Sequence, residues 1–513
     1  MIDLKKITLL SLPVMLSNML QGALTVIDTI MIGRLGPIPI AAVGMGNTLR
    51  LFLLILVLSV AGGAISMMAQ AKGSRDPQRM SVVTRQAIVS GFILSVLLGI
   101  IGLVIAHPAL SLMNQGDEVM AVELGVDYLQ VLFLGTPFLL LNVITNKLMQ
   151  GAGDTLTPLL ITIAVVILNI FFNYLFIFGW AFIPAYGVVG AALGTILARA
   201  ILLLFTFWLF YSGKNVVQIL KGTWLPNWEI IKDILAIGVP SGIQGIFRHG
   251  SNLMMIGLVT ATSLGTYGAA VLTIGLQVEQ IIYQPIVGMN VAATSLIGQD
   301  MGKWQTQEAY QKGMWMAVLG VIASLIIVIP FYLFIPEIIH LFDPSAHPSI
   351  LAGSTSYFQI TLFAALFAAP GIIFTGTLRG AGDTQPAMYS AIINRTLIQI
   401  LIGWYLAFPM GLGYMGIWIS IVIGRFLNGA TLSYFWWKRH WVQTALHKTA
   451  IYRIHLKNLS EEQQQKYLTE IRGPLMAMQG TVEQVEVNQV RYIQKGTVKT
   501  IQFRENDSYS PTT

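Results

Sequence analysis

Polar side chains that can handle ions or ligands recur inside long apolar stretches of this sequence, where each is costly. Charge at mid-membrane depth costs about 2.5–3.5 kcal/mol on insertion scales, so each such residue is a functional candidate. Asn18, Gln21, Thr25 and Asp28 follow one another at spacings of 3, 4 and 3. A helix places them on one face. That stripe suits interhelical hydrogen bonding, and Asp28 adds a carboxylate that can release a proton or hold Na⁺. Asn169 and Asn173 are four residues apart and share a face. Their side-chain carbonyls suit a hard cation or a protonated Asp28. Thr195 offers a hydroxyl. Asp28, Asn169, Asn173 and Thr195 are therefore the candidate cation-coupling set, with Na⁺ as the one metal ion they would hold.

The second half echoes the stripe. Counted from Pro13 and Pro240, Ser17 falls opposite Gln244, Gln21 opposite Arg248, Thr25 opposite Asn252 and Asp28 opposite Met255. The corresponding acid is missing, and Arg248, His249 and, further on, Glu279 stand in its neighbourhood. An Arg248–Glu279 pair would offset the desolvation of both. Arg199, Arg395 and Arg425 add positive charge at membrane depth, and several of them lining a cavity would favour anionic or zwitterionic substrates. Asn18, Gln21, Thr25, Gln244, Arg248, His249, Asn252 and Glu279 are the candidate cavity residues.

The elements that must position these groups are membrane helices. The chain has 513 residues, 55% hydrophobic and 10% charged, with a mean hydropathy of +0.70. A soluble domain carries about 25% charged residues, and disorder needs low hydrophobicity. Absence of cysteine excludes disulfides and thiolate chemistry. Apolar runs fall near 7–32, 42–70, 86–106, 124–148, 158–179, 187–211, 233–259, 267–298, 313–335, 350–377, 387–408 and 414–437. A span needs about 20 apolar residues, so twelve helices are predicted. The first run is too long for the core of a cleavable signal peptide. Lys and Arg gather on alternate loops, which puts both termini in the cytoplasm; the net charge of +7 reflects these loops and not nucleic-acid binding.

The chain also repeats itself. GAGDT occurs at 151–155 and 380–384, and at the same offset Gly46, Ala64, Ser66, Gln70 and Gly73 match Gly275, Ala293, Ser295, Gln299 and Gly302. The fold class is thus all-α integral membrane, twelve helices in two parallel six-helix repeats: an N-lobe at 1–211, a cytoplasmic linker at 212–232, a C-lobe at 233–437 and a small cytoplasmic appendage at 438–513. Parallel repeats flank a central path in transporters. The GAGDT loops read as turns and helix caps, without the Lys of a phosphate-binding loop. In the appendage, Ser460 with Gln463 suggests a capping box, and Val482 to Phe503 alternates like a hairpin with Gly496 near its turn.

VIDTIMIGRLG at 26–36, the MQGAGDT and LRGAGDT loops, NIFFNYLFIFG at 169–179 and GVVGAALGT at 187–195 resemble the multidrug and toxic compound extrusion (MATE) family over about 1–437. The resemblance implies two six-helix lobes exporting amphipathic drugs in exchange for Na⁺ or H⁺, with Asp28, Asn169, Asn173 and Thr195 matching the family's N-lobe cation site. Two departures stand out: Arg248 and Ala368 replace carboxylates of the NorM-like branch, and Asn173 stands where the DinF-like branch often has Asp. Coupling is therefore expected to rest on Asp28. The expected protein is a plasma-membrane antiporter working as a monomer, with no cofactor beyond its coupling ion, a small amphipathic substrate and no nucleic-acid partner. The alternatives are a flippase or exporter of lipid-linked or anionic metabolites and, from another class, an intramembrane enzyme. The latter needs a nucleophile–base or metal cluster, which His249 alone does not supply.

Overall fold

With no water to satisfy backbone groups inside a bilayer, an apolar run must bond internally, and a helix does so within one segment. The computed structural model describes residues 4–113, 119–180, 182–342, 347–442, 480–486, 489–494 and 497–502. Its first half holds α1 (Leu4–Gly33), α2 (Pro37–Gly73), α3 (Pro77–Met113), α4 (Val119–Leu134), α5 (Thr136–Gly151), α6 (Leu156–Phe178) and α7 (Gly187–Ser212). The second holds α8 (Trp228–Thr260), α9 (Thr266–Gly302), α10 (Thr306–Leu333), α11 (Ile335–Phe342), α12 (Pro348–Thr361), α13 (Ala364–Ala381), α14 (Gln385–Ser390), a π-helical segment (Ala391–Ile398), α15 (Gln399–Ala407) and α16 (Tyr414–Trp437). Taken with their breaks, these make the twelve spans, six in each lobe.

Three spans predicted as continuous are interrupted. The fourth bends by 53° between α4 and α5. Pro137 lies in the first turn of α5; it has no N–H to donate, and its ring would clash with the carbonyl of residue 133, so the helix restarts there. The tenth breaks between α12 and α13, and the eleventh passes through the π-helical segment. Beyond the helices, strands β1 (Gly480–Glu486), β2 (Gln489–Gln494) and β3 (Thr497–Gln502) form an antiparallel meander in the order β1-β2-β3. The expected hairpin corresponds to the pairing of β2 and β3, with one further strand before it. Ser460, Gln463 and Gly496 lie outside the described residues.

The repeated residues explain how the lobes meet. Gly153 and Gly382, the second glycines of the two GAGDT loops, have φ of 87° and 84°, a left-handed conformation glycine adopts without a Cβ penalty. Asp154 accepts from the Thr157 backbone N–H at 3.0 Å, a cap on α6. The loops do more than turn. Ser66 of α2 donates to the Arg379 carbonyl at 2.6 Å, and Gln70 donates to the Gly380 carbonyl at 3.1 Å. Their repeat partner Ser295 of α9 donates to the Gly151 carbonyl at 3.1 Å. Each lobe thus grips the other's GAGDT loop. A Cβ on Gly63 would overlap the Ile234 carbonyl oxygen, and one on Gly238 the Ser59 carbonyl oxygen, so α2 and α8 cross with their backbones in contact. Val14, Ile65 and Val291 complete the seam. Toward the other end, α1 leaves Gln21 and Thr25 exposed and α8 leaves Arg248 exposed.

Candidate functional site

In the N-lobe, α6 buries a face that runs through Pro158, Ile161, Thr162, Val165, Asn169, Asn173 and Ile177. With Thr162, its two asparagines, 1% and 0% exposed, are its polar members. Close packing of α7 delivers the third group: Gly190 lies against the Phe176 carbonyl, and a Cβ on Gly194 would overlap the Asn173 amide oxygen. These small residues let the backbones approach and bring the buried Thr195 to Asn169. From the opposite side α1 presents Asp28, which is half-buried.

The four residues join in one relay. Asn173 Nδ2 donates to Asp28 Oδ1 at 2.8 Å and to Asn169 Oδ1 at 3.0 Å. Asn169 Nδ2 donates to Thr195 Oγ1 at 3.0 Å. Asn173 Oδ1 is buried without a hydrogen-bond partner, an expensive state for an amide oxygen. Carboxylate, amide and hydroxyl oxygens therefore converge with one acceptor in reserve, a donor set of the kind hard cations take.

The α1 and α8 stripes fare differently. Asn18 is half-buried, and Thr25 bonds back to the Gln21 carbonyl at 3.2 Å. On α8, Gln244, His249 and Asn252 are half-buried and Arg248 is exposed, whereas Met255 is 1% exposed and belongs to the C-lobe core.

Glu279 does not pair with Arg248. It lies 5% exposed, and Arg425 of α16 reaches it with two nitrogens, at 2.9 Å to Oε1 and 2.6 Å to Oε2. The Tyr357 hydroxyl donates to Oε1 at 2.6 Å, and Arg425 donates to the Tyr283 hydroxyl at 2.9 Å. The reason is geometric. Arg425 offers Glu279 the bidentate fork that carboxylates favour, and tyrosines of α9 and α12 use the remaining hydrogen-bonding capacity. Glu279 therefore leaves the set of cavity candidates for the C-lobe interior.

Four further cations sit close together. Arg248 and Arg395 lie within electrostatic reach of His249 and of each other, Arg379 within reach of Arg248, and Lys147 within reach of Arg379. Lys147 and Arg379 read as loop charges in the sequence but occupy the ends of α5 and α13. Lys147 donates to Gln150 Oε1 at 2.9 Å. Their participation could not be found from spacing, because they come from different helices of both lobes. The two tyrosines around Arg425 were likewise missed: as aromatic residues in apolar runs they carry no periodic signal.

A family model described as MatE matches residues 13–175 and 240–405. The chain is 26% identical over 448 residues to a probable multidrug resistance protein NorM of Thermotoga maritima, covering 86% of this chain and 94% of that protein. It is 25% identical to the uncharacterized transporter YisQ of Bacillus subtilis, over 82% of this chain and 91% of that one. Among solved structures, a MOP superfamily transporter from Pyrococcus furiosus superposes with a TM-score of 0.76 at 26% identity, covering 85% of this chain and 95% of its own. An outward-facing multidrug resistance MATE family transporter gives 0.77 at 26% identity with the same coverage.

Proposed function

Since this chain belongs to the MatE family, whose members are membrane transporters, we propose that it is a cation-coupled antiporter, exporting amphipathic compounds across the plasma membrane by alternating access with Asp28 as the coupling group. The observation that carries the reading is the relay from Asp28 through Asn173 and Asn169 to Thr195, with Asn173 Oδ1 left over. While Asp28 is ionised, Asn173 donates to it. When a proton or Na⁺ arrives, a half-turn of the Asn173 amide presents Oδ1 instead, which accepts from a protonated carboxyl or ligates the ion. That exchange redraws the hydrogen bonds holding α1 against α6. A cation that binds one arrangement better than the other shifts the populations accordingly.

Orientation follows from the basic loops. With both termini cytoplasmic, the seam of GAGDT loops closes the cytoplasmic side and the stripes of α1 and α8 face outward. The linker between α7 and α8 joins two lobes around one path, so a monomer suffices. The test is ion-driven efflux by proteoliposomes under an imposed Na⁺ or pH gradient, one at a time. Asp28→Asn is expected to abolish gradient-driven efflux, by at least tenfold, with unchanged purification behaviour. Coupled efflux retained by Asp28→Asn would overturn the mechanism, and the gradient that works identifies the ion.

A further inference from the structure

The molecule buries one guanidinium with full compensation. Arg425 has a carboxylate fork and a tyrosine hydroxyl around it. Arg248, Arg395, Arg379 and Lys147 have nothing comparable. Arg425 pairs with Glu279, and Lys312 with Asp300 and Glu308; none of these pairs reaches the four. Arg395 Nε and Arg379 Nε are buried nitrogens without a hydrogen-bond partner, each a donor left unpaired in a low-dielectric interior.

The backbone holds Arg395 in this position. It lies in the π-helical segment (Ala391–Ile398), a wide turn of the kind found at functional sites. That segment is tied to α8 from both sides: Ser251 donates to the Arg395 carbonyl at 2.7 Å, and Thr396 donates to the Phe247 carbonyl at 3.3 Å. Phe247 directly precedes Arg248 and His249, so the tie fixes the two arginines beside one another. Two guanidiniums held together repel, and the acid within electrostatic reach of Arg395, Glu279, is already held in the fork of Arg425. Arg379 stands near the α2–α8 crossing, its Nε 3.9 Å from where a Cβ on Gly62 would lie, below the point where α8 leaves Arg248 exposed.

We propose that Arg248 and Arg395, with His249 beside them and Arg379 and Lys147 toward the seam, form a cradle for the acidic group of the transported compound, a carboxylate, sulfonate or phosphate on an amphipathic body. The proposal rests on the transporter reading above and names its substrate class. Guanidinium forks pair bidentately with such groups, and an anion supplies the counter-charge that Glu279, held by Arg425, does not give them. The coupling carboxylate Asp28 sits in the other lobe, so substrate anion and coupling cation occupy separate sites of opposite charge. A free amphipathic anion and a lipid headgroup present the same chemistry here.

Binding to the purified full chain in neutral detergent tests the cradle with a matched pair of probes, dansylglycine as the carboxylate and dansylcadaverine as the ammonium. Dansylglycine is expected to bind at least tenfold more tightly. Arg248→Gln and Arg395→Gln should each weaken it at least tenfold, while Arg248→Lys, which keeps the charge but loses the bidentate fork, should weaken it less than Arg248→Gln. If either glutamine variant fails to fold, the wild-type preference and the remaining variant decide. In phosphatidylcholine vesicles, gradient-driven movement of dansylglycine supports a free amphipathic anion. Inversion of NBD-phosphatidylglycerol without dansylglycine transport supports a lipid headgroup at the same cradle. Equal or tighter binding of dansylcadaverine, or dansylglycine binding indifferent to both glutamine substitutions, overturns the proposal. Its failure is separable from that of the antiport reading. Dansylglycine that binds in an arginine-dependent way but never responds to a Na⁺ or pH gradient removes the coupling and leaves the cradle. Gradient-driven export of dansylcadaverine alone removes the cradle and leaves the coupling.

Discussion

At the scale of single residues, two acids in apolar helices have opposite surroundings. Asp28 is half-buried and meets amides whose hydrogen bonds can reverse. Glu279 is enclosed by an arginine fork and a tyrosine hydroxyl, which occupy both of its oxygens. On the proposed mechanism the first changes its hydrogen bonds during transport, whereas the second stays locked in its fork. Removing one member of a buried ion pair strands the other, at a cost of about 3–5 kcal/mol. Glu279→Gln and Arg425→Met should therefore each lower thermal stability in detergent by that order, while the double substitution recovers part of the loss. Singles that melt like the parent would show that water already compensates the pair. Spacing alone put Asn169 and Asn173 on one helix face, and the structure buries that face, because i, i+4 spacing is a local property. It offered Arg248 as a partner for Glu279 because both stand in the second half's polar stretch, whereas the partner it has is Arg425, 146 positions away along the chain.

At the scale of elements, the inter-lobe seam depends on α2 and α8 crossing at glycines. Leucine at position 63 would have to displace the Ile234 carbonyl, and no rotamer avoids a backbone overlap at Cβ. Gly63→Leu should disfavour this arrangement of the lobes without unfolding either. Because the chain has no cysteine, the seam can be read by cross-linking Gly62→Cys of α2 to Ser241→Cys of α8, whose Cβ atoms would lie 3.5 Å apart, within disulfide range. The pair should form a disulfide readily in the parent and at least fivefold less in Gly63→Leu. Undiminished cross-linking would mean the helices meet by another route. The helix breaks mattered as much as the helices: the π-helical turn that sets Arg395 beside Arg248 has no periodic signature, since 391–398 reads as an ordinary apolar helical stretch.

At the scale of the molecule, charge separation between the lobes has an electrical consequence. Each elementary charge crossing the membrane is worth about 2.3 kcal/mol per 100 mV. If one cation enters for each monovalent anion that leaves, two positive charges move inward, worth about 4.6 kcal/mol per 100 mV. Exchange of a cation for a cationic substrate moves none. Export of the anionic probe should therefore accelerate several-fold under an inside-negative potential set by K⁺ and valinomycin. A rate independent of potential would contradict anion-for-cation exchange.

The sequence by itself determined the membrane class, the twelve spans and the duplication, and it singled out Asp28, the acid proposed for coupling. These follow from hydropathy, helical period and a fixed offset, all of them properties of residues near in the chain or in its repeat. Tertiary structure alone decided which arginine meets Glu279, which cations remain uncompensated, and that the repeated Ser66 and Ser295 grip the GAGDT loops across the seam. Those outcomes depend on helices distant in sequence meeting at particular depths and rotations, and local patterning carries no information about that.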